Sequence, residues 1–130
     1  MKSIPANTDI FIVGAGPAGA TLSLFLSQKK IAHVIVDAAK FPRDKICGDG
    51  LDLKVVRVLR QLDPAIVENE MPNNPFFQKA WGLRAFTADG RASCFLNKER
   101  PEFPNRPILW TIKRLHFDDF LVKKIKPPYA

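Results

Sequence analysis

The sequence predicts an α/β fold organised around a βαβ unit. Three observations point to it. Residues 9–13 (Asp-Ile-Phe-Ile-Val) form a short, β-rich, nearly continuous apolar run. A glycine-rich turn and a helix-forming stretch follow directly. A second apolar run, residues 33–37 (His-Val-Ile-Val-Asp), ends in an acid. Strand, helix and strand in this order make a parallel pair joined by a right-handed crossover.

Each element has a local reason. The continuous apolar character of 9–13 suits a strand buried on both faces of a parallel sheet. Gly14 to Gly16 break it. Pro17 stands where a helix begins, a position that tolerates its missing N–H. Residues 18–29 are good or acceptable helix formers, with Leu22, Phe25 and Leu26 on one face. Residues 38–50 read as a polar loop carrying Pro42, Arg43, Lys45 and Cys47. A helix is expected over 51–62, with Leu51, Val55, Val58, Leu59 and Leu62 as its apolar stripe and Asp63-Pro64 as its stop. Residues 70–75, with two prolines and two asparagines, read as a connection. Residues 81–86 and 91–96 flank Thr87-Ala88-Asp89-Gly90, and Asp-Gly between apolar runs signals a hairpin. The prolines of 97–107 mark a loop. A strand over 108–112 and a helix over 115–125, apolar at Leu115, Phe117, Phe120, Leu121 and Ile125, complete the reading.

Composition narrows the class. The 130 residues are 46% hydrophobic and 25% charged, which excludes a disordered chain, a coiled coil and a collagen-like repeat. Two cysteines, Cys47 and Cys94, cannot build a disulfide framework, and no Cys/His cluster has zinc spacing. A reduced, cytoplasmic setting is therefore the default. The net charge of +7 is spread along the chain rather than run together, so nucleic acid is not an expected partner. The longest apolar stretch, 10–26, is interrupted by Gly14, Gly16, Pro17 and Gly19. It suits a strand–turn–helix better than a signal peptide or a bilayer span.

Gly14-Ala15-Gly16-Pro17-Ala18-Gly19 is a G-x-G-x-x-G between the first predicted strand and its helix. Asp37 follows Gly19 by 18 residues, at the end of the next strand. That is the context a dinucleotide fingerprint requires. Gly14 permits the sharp turn. Gly16 lets a pyrophosphate reach the backbone, and Gly19 lets the helix pack closely on the strand. The helix N-terminus offers N–H groups and a partial positive charge. Asp37 suits a ribose and repels a 2′-phosphate. The turn before the second strand often holds a glycine in such units, and here it holds Ile31-Ala32.

Two later segments identify a family. Arg43-Asp44-Lys45-Ile46-Cys47-Gly48-Asp49-Gly50 resembles the Arg-x-Lys-x-Cys-Gly-x-Gly segment of geranylgeranyl reductase-like flavoproteins. These belong to the para-hydroxybenzoate hydroxylase-like FAD enzymes, which also include flavin-dependent halogenases. Arg114-Leu115-His116-Phe117-Asp118-Asp119-Phe120-Leu121 resembles the family's Arg-x-x-Phe-Asp-x-x-Leu segment. The resemblance implies a Rossmann-like FAD-binding domain carrying the start of an inserted antiparallel β substrate-binding region. It implies that Gly14, Gly16, Pro17, Ala18 and Gly19 hold the FAD pyrophosphate and that Asp37 binds the adenosine ribose. Arg43 and Arg114 would contact the phosphate or ribose region. Cys47 and Gly48 would lie toward the isoalloxazine and the substrate cavity.

Cys47 is the candidate catalytic residue. Lys45 two positions away and a helix starting after Gly50 are both features that can depress a thiol pKa. A small residue tucked under the flavin is the other reading. Cys94, His33 and His116 read as packing or solvated positions, His33 at a strand edge.

The resemblance further implies reduction of isoprenoid double bonds, an apolar or isoprenoid substrate and an external electron donor, NAD(P)H or ferredoxin-like. A peripheral position at the membrane fits such a substrate and the positive charge. An aromatic monooxygenase or halogenase is the alternative within the enzymes, and a non-catalytic nucleotide-binding fragment the alternative outside them. By this reading residues 1–70 are the βαβ part of the FAD domain, 71–112 begin the substrate region, and 113–130 return to the FAD domain. The family's later Gly-Asp segment is not found before Ala130. The FAD domain is accordingly expected to be incomplete, and the length to mark a fragment boundary rather than a fold boundary.

Overall fold

The computed structural model describes residues 7–47, 49–90, 92–96 and 107–126. They fall into two compact units, one from the stretches 1–47 and 113–130 and the other from 48–112.

In the first unit, β1 (Phe11–Val13) pairs in parallel with β2 (Val34–Val36), Phe11 opposite Val34 and Val13 opposite Val36. Helix α1 (Pro17–Gln28) joins them. The βαβ unit thus stands as predicted, with shorter strands. Burial differs from the expectation. Ile12 is buried, whereas Val13 is 79% exposed. Successive strand side chains point to opposite faces, and among the described residues β1 is covered on the Ile12 face alone. The expected α1 face is also corrected. Ala20, Ser23 and Leu24 are the buried positions and Leu22 is exposed.

The end of α1 shows a Schellman cap. The Ile31 N–H donates to the Leu26 carbonyl at 2.9 Å and the Lys30 N–H to that of Ser27 at 3.0 Å. Lys30 takes φ 58° there, the left-handed conformation glycine usually fills. His33 is buried more deeply than strand-edge packing implies. Its Nε2 lies 2.7 Å from Ser23 Oγ and its Nδ1 2.9 Å from the Ile31 carbonyl. Both ring nitrogens are thereby matched, and the helix is tied to the start of β2. Helix α4 (Arg114–Val122) packs on α1 and buries Phe117, Asp118 and Leu121.

In the second unit, β3 (Gly50–Leu51) and β4 (Gln78–Ala80) pair antiparallel on either side of β7 (Leu109–Thr111). Leu51 and Lys79 both lie opposite Trp110. Helix α2 (Leu53–Leu62) begins later than expected, because Leu51 belongs to β3 and Asp52 is the N-cap. The Asp52 carboxylate accepts the Lys54 and Val55 N–H groups, each at 2.9 Å. Val56, Leu59 and Leu62 are its buried positions, so Val55 and Val58 of the expected stripe are replaced by Val56. A π-helical stretch, Ile66–Glu70, runs into the short α3 (Met71–Asn73), which lies within the 70–75 segment read as a connection. The β5 (Leu83–Phe86) and β6 (Ala92–Leu96) hairpin forms as the Asp-Gly signal predicts. Gly90 has φ +76° and donates to the Thr87 carbonyl at 2.9 Å. The Cys94 side chain lies outside the described set.

Candidate functional site

The site assembles at the N-terminus of α1, wholly within the first unit. Gly14, at φ +99°, ends β1 and donates its N–H to the Val36 carbonyl at 2.7 Å. That conformation is open to glycine and strained for other residues. A Cβ on Gly19 would meet Ile12 Cγ2 at 3.2 Å, so the helix does lie tightly on the strand. Pro17 occupies the first helical turn, and no side chain caps the helix. The first-turn N–H groups of Ala18 and Gly19 have no acceptor within the helix.

Two arginines converge on this turn. A Cβ built on Gly16 would stand 3.4 Å from Arg43 Nη2 and 3.7 Å from Arg114 Nη2. Arg43 comes from the loop after β2 and Arg114 from the first turn of α4. The Arg43 guanidinium also lies over the Phe41 ring, 5.0 Å from its centroid.

Carboxylates hold both arginines. Arg114 Nε and Nη2 donate to the two oxygens of Asp118 at 2.6 and 2.8 Å. Arg43 Nη1 reaches Asp118 Oδ2 at 3.3 Å, and Arg43 Nε stands 3.7 Å from Asp37 Oδ1. The Asp118 hydrogen bonds, more than any other influence, push Arg114 above the ordinary guanidinium range. Burial opposes this, and a hydrogen bond with Cys47 adds to it. Asp37 accepts the Ala39 N–H at 2.9 Å and the Ala15 N–H at 2.8 Å. The Ala39 bond above all, joined by the Ala15 bond and the Arg43 charge, holds its carboxyl below the usual carboxylate value, although burial pushes the other way.

Of the residues singled out from sequence, Gly14, Gly16, Pro17, Ala18, Gly19, Asp37, Arg43, Cys47 and Arg114 come together here. Gly48 lies outside the described residues. The cation placed beside Cys47 is Arg114, a contact the reading from Lys45 did not anticipate. The helix start invoked for that thiol is α2, whose first N–H groups are taken by Asp52. Two contributors were missed. Phe41 gave no signal. Asp118 did give one, since an acid four residues after Arg114, between the apolar Phe117 and Leu121, is placed to turn inward and pair.

An uncapped helix start, a side-chain-free Gly16, two guanidiniums above it and an acid closing the second strand define a Rossmann-type dinucleotide-binding unit. The model of the FAD binding domain family matches residues 7–96, and the chain belongs to that family. The menaquinone reductase of Mycolicibacterium smegmatis is 47% identical over 59 residues, 45% of this chain and 14% of that protein. The flavin-dependent halogenase armH4 of Armillaria mellea is 27% identical over 122 residues, 92% of this chain and 22% of that protein. The geranylgeranyl bacteriochlorophyll reductase-like protein of Thermoplasma acidophilum superposes with a TM-score of 0.68 at 19% identity. That match covers 88% of this chain and 26% of that one, and it shows a shared fold. The chain therefore spans about a quarter or less of the length of these relatives.

The residues present fit FAD. Its diphosphate is dianionic and needs donors without steric obstruction, which Gly16, the helix N-terminus and the two Nη2 atoms supply. Both Asp37 oxygens already accept one N–H each. A carboxylate oxygen has two lone-pair sites, so capacity remains for ribose hydroxyls.

Proposed function

We propose that the FAD held by this chain serves the reduction of double bonds in an isoprenoid substrate. The observation that carries the cofactor site is the convergence of Arg43 and Arg114 on Gly16. The substrate class is supported by the menaquinone reductase and geranylgeranyl reductase-like relatives and by the Arg43–Gly50 pattern.

In this reading the backbone of Gly14, Gly16, Pro17, Ala18 and Gly19 surrounds the diphosphate, and Arg43 and Arg114 neutralise it. Asp37 accepts the ribose hydroxyls. Cys47, tied to Arg114, stands toward the flavin ring, as the family resemblance implies for it and for Gly48. The bound flavin supplies hydride chemistry, delivering two electrons and a proton, with a second proton completing the saturation of a C=C bond. An external donor, NAD(P)H or ferredoxin-like, then restores the flavin. Among the described residues no helix is long and apolar enough to cross a membrane. A lipid-dissolved substrate would be met by peripheral contact from a cytoplasmic position.

Halogenation or hydroxylation of an aromatic substrate is the second reading. It is favoured by one observation: the halogenase alignment runs along nearly the whole chain, the menaquinone reductase alignment along less than half of it.

The two readings separate by mass spectrometry. The FAD-loaded protein, reduced without oxygen, is mixed with a geranylgeranyl compound in detergent. The proposal expects the flavin to reoxidise and the isoprenoid to gain two hydrogens. Reoxidation by oxygen alone, with a halide or hydroxyl appearing on an added arene, would support the second reading instead.

A further inference from the structure

We propose that Asp118 is a positioning residue for the diphosphate. It sets the two guanidiniums over Gly16, and the anion affinity of the site depends on its negative charge. The inference rests on reading Arg43 and Arg114 as diphosphate ligands.

The geometry supports it as follows. The Asp118 side chain is fully buried, with 0% exposure, on the face of α4 that also buries Phe117 and Leu121. It grips Arg114 at two points, 2.6 and 2.8 Å, and reaches Arg43 at 3.3 Å. Arg43 and Arg114 are 71 residues apart in sequence, and Asp118 is the carboxylate that contacts both. A paired fork is fixed in plane and direction, which an isolated guanidinium on a long stem is not.

The proposal can be distinguished from simple charge counting by sign. A carboxylate inside an anion site repels the anion, so Coulomb attraction alone makes its neutralisation tighten binding. If Asp118 instead works by aiming the arginines, neutralising it lets both side chains regain rotamer freedom and swing from Gly16. Binding then weakens, and only for ligands that carry the diphosphate.

The test is calorimetric titration of the full chain with ADP and with adenosine. It compares the wild type, Asp118→Asn, Arg114→Lys and the double variant. Lysine keeps the charge at 114 but cannot pair at two points. The wild type is expected to bind ADP more tightly than adenosine. Asp118→Asn should weaken ADP by about tenfold or more and leave adenosine within about twofold. Arg114→Lys should do the same, and the double variant should lose little more than either single change. Unchanged or tighter ADP binding by Asp118→Asn overturns the proposal. So does equal loss of ADP and adenosine, the mark of a merely structural role. Should Asp118→Asn fail to fold, Asp118→Glu takes its place: it keeps the charge but moves the carboxylate by one methylene, so a fall in the ADP-to-adenosine ratio is expected and an unchanged ratio overturns the proposal. If the wild type itself makes no distinction between ADP and adenosine, the diphosphate reading has failed before Asp118 is tested.

Discussion

Gly19 packs so closely on Gly14 that a Cβ on Gly19 would collide with the Gly14 carbonyl oxygen. No relaxation of a flexible side chain relieves that contact, because the obstacle is backbone. Gly16 is different, since a Cβ there meets only the far ends of two arginines. The two glycines of one motif therefore do separate jobs. Gly19→Ala should destabilise the fold by about 3 kcal/mol. Gly16→Ala should cost about 1 kcal/mol as a poorer N-cap, yet weaken FAD at least about tenfold. Urea unfolding and flavin fluorescence titration on both variants check this. Equal effects of the two changes on folding would contradict it.

Lys30 adopts φ 58° at the Schellman cap of α1, a conformation that costs a side chain about 1 kcal/mol. Lys30→Gly is therefore expected to stabilise the chain by about 0.5–1 kcal/mol, measured as a higher urea midpoint. Flavin affinity should not change, because Lys30 lies at the opposite end of α1 from the cradle.

Asp37 gives a pH prediction with a definite sign. Its carboxyl titrates lower in the folded chain than its ordinary value of 3.8, chiefly through the Ala39 N–H bond and then those of Ala15 and Arg43. Such a group contributes stability above the unfolded pKa and loses it as pH falls through the folded one. The wild type should thus exceed Asp37→Asn in urea midpoint by a constant margin above about pH 5. That margin should shrink below about pH 4. A margin that grows on acidification would contradict the assignment.

The fold was legible where local chemistry decides it. Gly14, Pro17 and Gly19 force a turn and a helix start whatever surrounds them, and Asp89-Gly90 forces a hairpin turn. The segments that escaped are set by distant partners. Gln78 and Lys79 do not look like strand residues, and β4 exists because it pairs with β7. Leu51 read as the first residue of a helix, but pairing opposite Trp110 holds it extended and moves the helix start to Leu53. Leu22 looked like a core residue by its spacing, and the helix turned Ala20, Ser23 and Leu24 inward instead. In the site, the glycines, Asp37, Arg43 and Arg114 were named from motifs. Asp118 stood in one of those motifs without being assigned a role, because that role lies in bridging two residues far apart in the chain.

The most direct test of the account is competition for flavin by the purified chain. If FAD is held through its diphosphate at Gly16, Arg43 and Arg114, the chain binds one FAD, ADP displaces it, and riboflavin does not. Displacement by riboflavin as effective as by ADP would place recognition on the ring rather than the diphosphate. That result would contradict the cradle described here.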